Sequence, residues 1–235
     1  MQRYRHYWAV VNANLSRLSR LSRLSRLNGQ PFTQAGHAKA SPFIQTLKPS
    51  KAMPTILSHV AVPLALGLGL GSRVISRPLL LLGMLASVLP DFDVIAFRLN
   101  VAYSHAFGHR GATHSLAFAL VLATLALAFA RQLHSSRLAV FMFVAVATVS
   151  HGLLDMFTNG GLGVGLWWPW SAERFFAPWQ VIEVSPLSLR RVFSERGLVV
   201  FQSELLWVWV PAALVTGALV AWRKLSANPS QTSGG

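Results

Sequence analysis

The chain has no cysteine. Disulfides, thiolate metal sites and a cysteine nucleophile are therefore excluded. Acidic residues are scarce as well, with 7 Asp and Glu against 21 Lys and Arg in 235 residues. All charged residues together make up 12%, where a soluble domain carries about 25%. The shortfall is concentrated in runs: Leu116 to Ala130, Leu138 to Val149 and Leu205 to Trp222 contain no Asp, Glu, Lys or Arg. A bilayer span needs about 20 mostly apolar residues, with ~17 as the lower limit. The last run has 18 residues, and the others reach that length with their polar flanks. A soluble globular domain does not leave such runs uncharged.

What is present reads as an all-α membrane protein, a bundle of about five hydrophobic helices. They are expected at about 55–70, 78–97, 113–130, 137–156 and 204–223, with a long Trp/Gly-rich loop, 157–203, between the fourth and fifth. Pro63 and the glycines make the first helix the weakest, though membrane helices tolerate both where neighbours satisfy the backbone. Trp167, Trp168, Trp170 and Trp179 suit the headgroup level. Ser185-Pro186 is expected to cap a short surface helix running toward Arg196. The glycines of 67–71 and 160–165 lack the strand-turn-helix context of a phosphate loop. Helix packing is expected for the first set and turn formation for the second.

The formal charge of +14 invites a nucleic-acid reading, but nine basic residues precede Met53 and most others sit between apolar runs. That is the distribution of membrane flanks, so lipids rather than nucleic acid are the expected partners. Residues 15–26 are Leu-Ser-Arg repeated four times. This low-complexity repeat presents no stable apolar face on a helix. Residues 1–52 thus read as a disordered basic tail, or as a stretch preceding a true start at Met53. Residues 53–225 form the membrane-embedded domain, and 226–235 a second tail.

His and Asp residues outside the flanks come in four groups: His59; Asp91 and Asp93 after Pro90; His109, Arg110 and His114; and His151 with Asp155. With helices alternating in direction, all four groups fall on one membrane face. The other face receives Arg73, Arg77, Arg131, His134, Arg137, Arg223 and Lys224. His and Asp together ligate zinc and similar divalent ions. His151 and Asp155, four apart, project from one side of a helix. Asp91 and Asp93 act together only if the helix unwinds after Pro90. Four His and three Asp are enough for two or more ions. Blander readings stand beside this one. A lone membrane His such as His59 is often a packing residue. His105 and His134 read as solvated, and Asp91 and Asp93 could cap a helix or pair with Arg98 or Arg110. Thr113 and Ser115 read as caps, and Glu204 as a helix-dipole partner at the start of the fifth helix. Glu173 and Glu183 are possible general bases that no spacing selects.

The opening Met53-Pro-Thr-Ile-Leu-Ser-His59, the Leu-Pro90-Asp91-Phe-Asp93 segment, His109-Arg110-Gly111-Ala-Thr113-His114-Ser115, and Ser150-His151-Gly-Leu-Leu-Asp155 resemble the YdjM-like family of bacterial inner-membrane proteins. Metal-dependent hydrolysis is the activity inferred for that family. The resemblance runs from Met53 to about Trp209 and implies a multi-pass inner-membrane location. The order of ligands is also similar to zinc-dependent phospholipase C and related nucleases, which would imply phosphoester hydrolysis, although those enzymes use more His ligands than can be placed here. On this reading His59, Asp93, His109, His114, His151 and Asp155 hold divalent metal, with zinc the first choice. Asp91 is a further ligand or an orienter of one, and Arg110 steadies an anionic group of a small or lipid-like substrate. The alternative is a non-catalytic membrane protein in which the cluster binds a structural metal or passes ions or protons. A third reading makes the basic tail the working part of an interaction protein. The basic residues of the short loops place the metal face outside the cytoplasm.

Overall fold

A computed structural model describes residues 52–53, 56–186 and 194–227. The expected N-terminal tail up to Lys51 and the C-terminal stretch beyond Ala227 lie outside the described residues. The five expected helical rods are present in order. The first consists of α1 (Ile56–His59) and α2 (Ala61–Leu70). The second runs from α3 (Arg77–Val88) through a 3-10 segment, Leu89–Val94, into α4 (Ile95–Arg98). A 3-10 turn, Ala112–His114, leads into α5 (Leu116–Ala126). The fourth rod is α6 (Arg137–Met156). The fifth joins α7 (Glu195–Glu204), a π-helical turn at Leu205–Trp209 and α8 (Val210–Ala227).

Serine hydroxyls start four of these helices by accepting an otherwise orphaned backbone N–H. Ser76 accepts from Leu79, Ser115 from Phe118, Ser136 from Ala139 and Ser194 from Gly197. Pro90, which lacks an N–H and crowds the preceding turn, begins the 3-10 segment that carries Asp91 and Asp93.

Two expectations are corrected. Ser185–Pro186 caps no helix; it is a strand, β2, paired antiparallel with β1 (Ala52–Met53). The fifth rod opens at Glu195 rather than near 204, so Glu204 lies buried in mid-rod and cannot serve as its N-terminal dipole partner. Glu195, in the first turn, takes that position.

The fourth rod is the hub, with α3 on one side and α5 on another. Leu79, Val140 and Val144 are fully buried at its centre, with Ala86, Ala123 and Ala126 keeping the helices close. The glycines of α2 serve packing: Gly67 lies against Leu80 and Gly69 against Leu219 of α8. The spans Arg77–Arg98, Arg137–Met156 and Glu195–Ala227 are long and apolar enough to cross a membrane, while Leu57–Leu70 and Leu116–Phe129 are apolar but shorter. Only 6% of the most apolar 18-residue window in Glu195–Ala227 is buried, against 50% of that in Arg137–Met156. Trp207, Leu214, Val215 and Trp222 therefore point outward, as side chains facing lipid must.

Candidate metal centre

The sequence-selected groups converge. Four ligand atoms from Asp91, His114, His151 and Asp155 lie within 4.8 Å of one another, and so do three from Asp93, His109 and His114. His114 Nε2 is 2.9 Å from His151 Nε2 and 3.2 Å from Asp155 Oδ2, and His151 Nε2 is 3.4 Å from Asp91 Oδ1. His59 stacks on His151 with ring centroids 3.7 Å apart, its Nε2 standing 3.7 Å from both Asp91 and Asp155. No member of the cluster is more than 9% exposed.

The local backbone explains the convergence. In α6, the spacing of four sets His151 and Asp155 on one face. Gly152 between them lets the carbonyl of His114 approach so closely that an added Cβ would sit 2.8 Å from it. The 3-10 segment at 89–94 turns both Asp91 and Asp93 inward, as the expected unwinding requires. Arg110 adopts a left-handed φ of 61°, a conformation costly for a side chain with a Cβ. The next residue, Gly111, has no room for a Cβ against the Ala106 and Gly108 carbonyls.

The two aspartates of the 3-10 segment differ in their surroundings. Asp93 is saturated. Its Oδ1 lies 2.5 Å from His109 Nδ1, and its Oδ2 accepts from the Arg110 backbone N–H at 3.1 Å and from Thr113 Oγ1 at 2.6 Å. It also stands 3.3 Å from His114 Nδ1. A carboxylate so placed fixes the orientation of the imidazoles around it. Asp91 has neither oxygen in an aligned hydrogen bond. Similarly, His151 Nδ1 lies 2.7 Å from the Ser87 carbonyl, which can only accept. The ring must donate there, so the neutral imidazole presents the lone pair of Nε2 to the cluster.

Arg110 is fully buried and belongs to Asp155. Its Nε lies 2.9 Å from Oδ2 and its Nη2 donates to Oδ1 at 3.2 Å, while Nη1 donates to Thr158 Oγ1 and to the Gly160 carbonyl. The glycine run at 160–165 wraps this guanidinium. Gly161, with a φ of 85°, has its Cβ position 3.0 Å from Nη1 and 2.5 Å from the Tyr103 hydroxyl. Arg174 fastens the covering loop, donating to the backbone carbonyls of His109, Tyr103 and His105 at 2.9–3.0 Å. Burial raises the Tyr103 phenol above its ordinary pKa and lowers that of Arg174.

The donor set fits a divalent cation. Buried polar atoms without an aligned partner cost several kcal/mol unless something satisfies them. Such atoms gather here: both nitrogens of His59, both oxygens of Asp91, Asp155 Oδ2 and His109 Nε2. Two imidazoles and two carboxylates within a few ångströms match the ligand chemistry of zinc and its neighbours.

Several contributors carried no sequence signal. The Ser87 carbonyl acts through its backbone, and Thr158 and Arg174 sit in the loop that composition marked only as Trp/Gly-rich. Thr113 was expected as a cap but serves Asp93. Ser115 does cap α5. Of the candidate bases, Glu183 is ion-paired with Arg196 at 2.6 Å and Glu173 is exposed.

No solved structure matches the chain. It is 50% identical over 173 residues to "Inner membrane protein YbcI" of Escherichia coli (strain K12), an alignment that covers 73% of this chain and 99% of that protein. Residues 53–227 match the family described as "YdjM inner membrane protein". The chain belongs to the YdjM inner membrane protein family.

Proposed function

We propose that the chain is a metal-dependent hydrolase of the inner membrane, acting on a phosphoester or lipid-like substrate. The observation that carries this reading is the meeting of Asp91, His114, His151 and Asp155 from three separate segments, with ligand atoms within 4.8 Å of one another and with both Asp91 oxygens and Asp155 Oδ2 lacking an aligned partner. These four would hold the principal ion, with zinc the first choice, and Asp93, His109 and His114 mark where a second would sit. When bound, such an ion lowers the pKa of a water toward neutrality and polarises a scissile bond. The chain's own residues do the positioning. Asp93 and the Ser87 carbonyl set the imidazoles of His109, His114 and His151, and Arg110 fixes Asp155. Arg110 is thus better cast as a positioning residue than as the grip on the substrate's anionic group. The exposed Trp167, Trp170 and Trp179 suit a site near the headgroups of a lipid-like substrate.

Burial of every ligand favours a second reading, in which the metal is structural or the cluster passes ions or protons. Metal analysis of detergent-purified protein separates the readings. Stoichiometric divalent metal, with hydrolysis of bis(p-nitrophenyl) phosphate or phosphatidylglycerol that disappears in Asp91→Asn, supports the hydrolase. Metal without turnover on any phosphoester supports the structural role, and absence of metal removes both metal-based readings. The proposed orientation puts the metal face outside the cytoplasm, and the basic residues of the short loops, Arg73, Arg77, Arg131, Arg137, Arg223 and Lys224, support it as an inner flank.

A further inference from the structure

At the other ends of α2 and α3 from the His/Asp cluster, the turn between these helices meets the end of α8 around a cavity of about 490 Å³. Arg73, Arg77, Arg223 and Lys224 line it on its polar side, and Leu68, Leu80 and neighbouring aliphatic residues line the remainder. The chain's seven acidic residues are Asp91, Asp93, Asp155, Glu173, Glu183, Glu195 and Glu204, and none of them lines this cavity. Four cations therefore share a pocket to which no carboxylate of these residues contributes. The fold also makes room for one of them. Gly71, with a φ of 80°, has its Cβ position 1.8 Å from Arg223 Nη1, so any larger residue would push the guanidinium out.

We propose that this cavity binds the phosphate of an anionic membrane phospholipid. Guanidinium groups match phosphate oxygens in geometry and charge. The aliphatic lining beside the cations, Leu68, Leu70, Ile75 and Leu80, suits the glycerol and upper acyl chain of a lipid and not a free ion. Basic residues at a membrane surface each strengthen attraction to anionic lipid. The site is separate from the His/Asp cluster, and its occupancy does not depend on metal there.

The test uses full-length protein in neutral detergent and native mass spectrometry, titrating dioleoylphosphatidylglycerol, dioleoylphosphatidylcholine or inorganic phosphate. Retention of phosphatidylglycerol over phosphatidylcholine is expected, with about a fivefold loss for each cation removed. Arg73→Gln combined with Arg223→Gln should thus weaken it about 25-fold. Arg223→Lys, which keeps the charge, should retain most of the binding. Circular dichroism matching the parent identifies folded variants. Equal retention of the two lipids, or a folded double variant that keeps its phosphatidylglycerol, overturns the proposal. Displacement of the lipid by millimolar inorganic phosphate overturns the lipid assignment in favour of a free-phosphate site.

Discussion

Replacing Gly152 with alanine should disarm the metal cluster without breaking the helix that carries it. The new methyl would stand 2.8 Å from the His114 carbonyl oxygen, whereas ordinary contact begins at 3.4 Å, so the two backbones must part by about 0.6 Å. The atom in the way is backbone, and no side-chain rotation relieves the clash. The displaced residue is itself a proposed ligand, with Nε2 now 2.9 Å from that of His151. Metal sites hold their distances to about 0.2 Å, so a shift of this size exceeds what coordination tolerates. Disturbing the supports of a ligand costs about 10- to 100-fold in metal affinity. Alanine meanwhile favours the helix interior over glycine by about 1 kcal/mol, so helicity should hold. Competition with a zinc-responsive fluorescent chelator on the purified protein measures the loss. Gly217→Ala serves as the control, because nothing lies within 4 Å of that position. An affinity for Gly152→Ala within twofold of the parent, with unchanged circular dichroism, would refute the reasoning that this close approach sets the ligand geometry.

Other outcomes follow from the same geometry. Asp155→Asn leaves the buried Arg110 guanidinium without its counter-charge and should cost about 3–5 kcal/mol, seen as a larger drop in thermal midpoint than Asp91→Asn causes. Asp93→Asn should keep the principal ion and lower its affinity about 10- to 100-fold, whereas His151→Ala should abolish binding of that ion; equal behaviour of the two would erase the distinction between orienter and ligand at the principal site. Ligand imidazoles must be neutral, so protons compete with metal. Affinity should therefore fall as pH is lowered through the histidine range, with protons released on binding in an unbuffered titration. A reporter fused after Arg223 should be active on the cytoplasmic side, and an extracytoplasmic result would invert the proposed orientation.

The helices were legible because an uncharged run of bilayer length has few alternatives, and Ser115 caps α5 as its position before the third run suggests. The site was legible because imidazoles and carboxylates are rare in apolar helices, so alternating helix direction sufficed to gather them. What stayed hidden follows from the limits of a one-dimensional pattern. Nothing distinguishes Asp91 from Asp93 in the sequence; the difference lies in which of them meets the Arg110 N–H and Thr113 across the bundle. The start of the fifth rod was missed because α7 is polar on one side, so hydropathy detects the rod only from Leu205. The pairing of Arg110 with Asp155 was hidden too, since the two lie 45 positions apart and only the folded chain brings them to 2.9 Å.

Charge counting sharpens what the cluster asks for. Were all four imidazoles neutral, as metal ligands must be, Asp91, Asp93 and Asp155 would carry three negative charges against one positive charge on Arg110, all of them buried. Two uncompensated negative charges cannot persist in a low-dielectric interior, where even paired ions are costly. Two protons on imidazoles, or one divalent cation, would balance them. Neither nitrogen of His59 nor either oxygen of Asp91 has an aligned hydrogen bond, and an ion needs no such alignment, since it draws on lone pairs from several directions. A second ion beside Asp93, His109 and His114 would leave the centre with two positive charges and a demand for an anion. A phosphoester is such an anion. A one-ion site is thus electrically complete without substrate and suits a structural role, while a two-ion site is complete only with an anionic ligand bound. The number of ions per chain, measured with and without inorganic phosphate, therefore discriminates between the two proposed roles. Cooperative uptake of a second ion only in the presence of phosphate would favour the hydrolase.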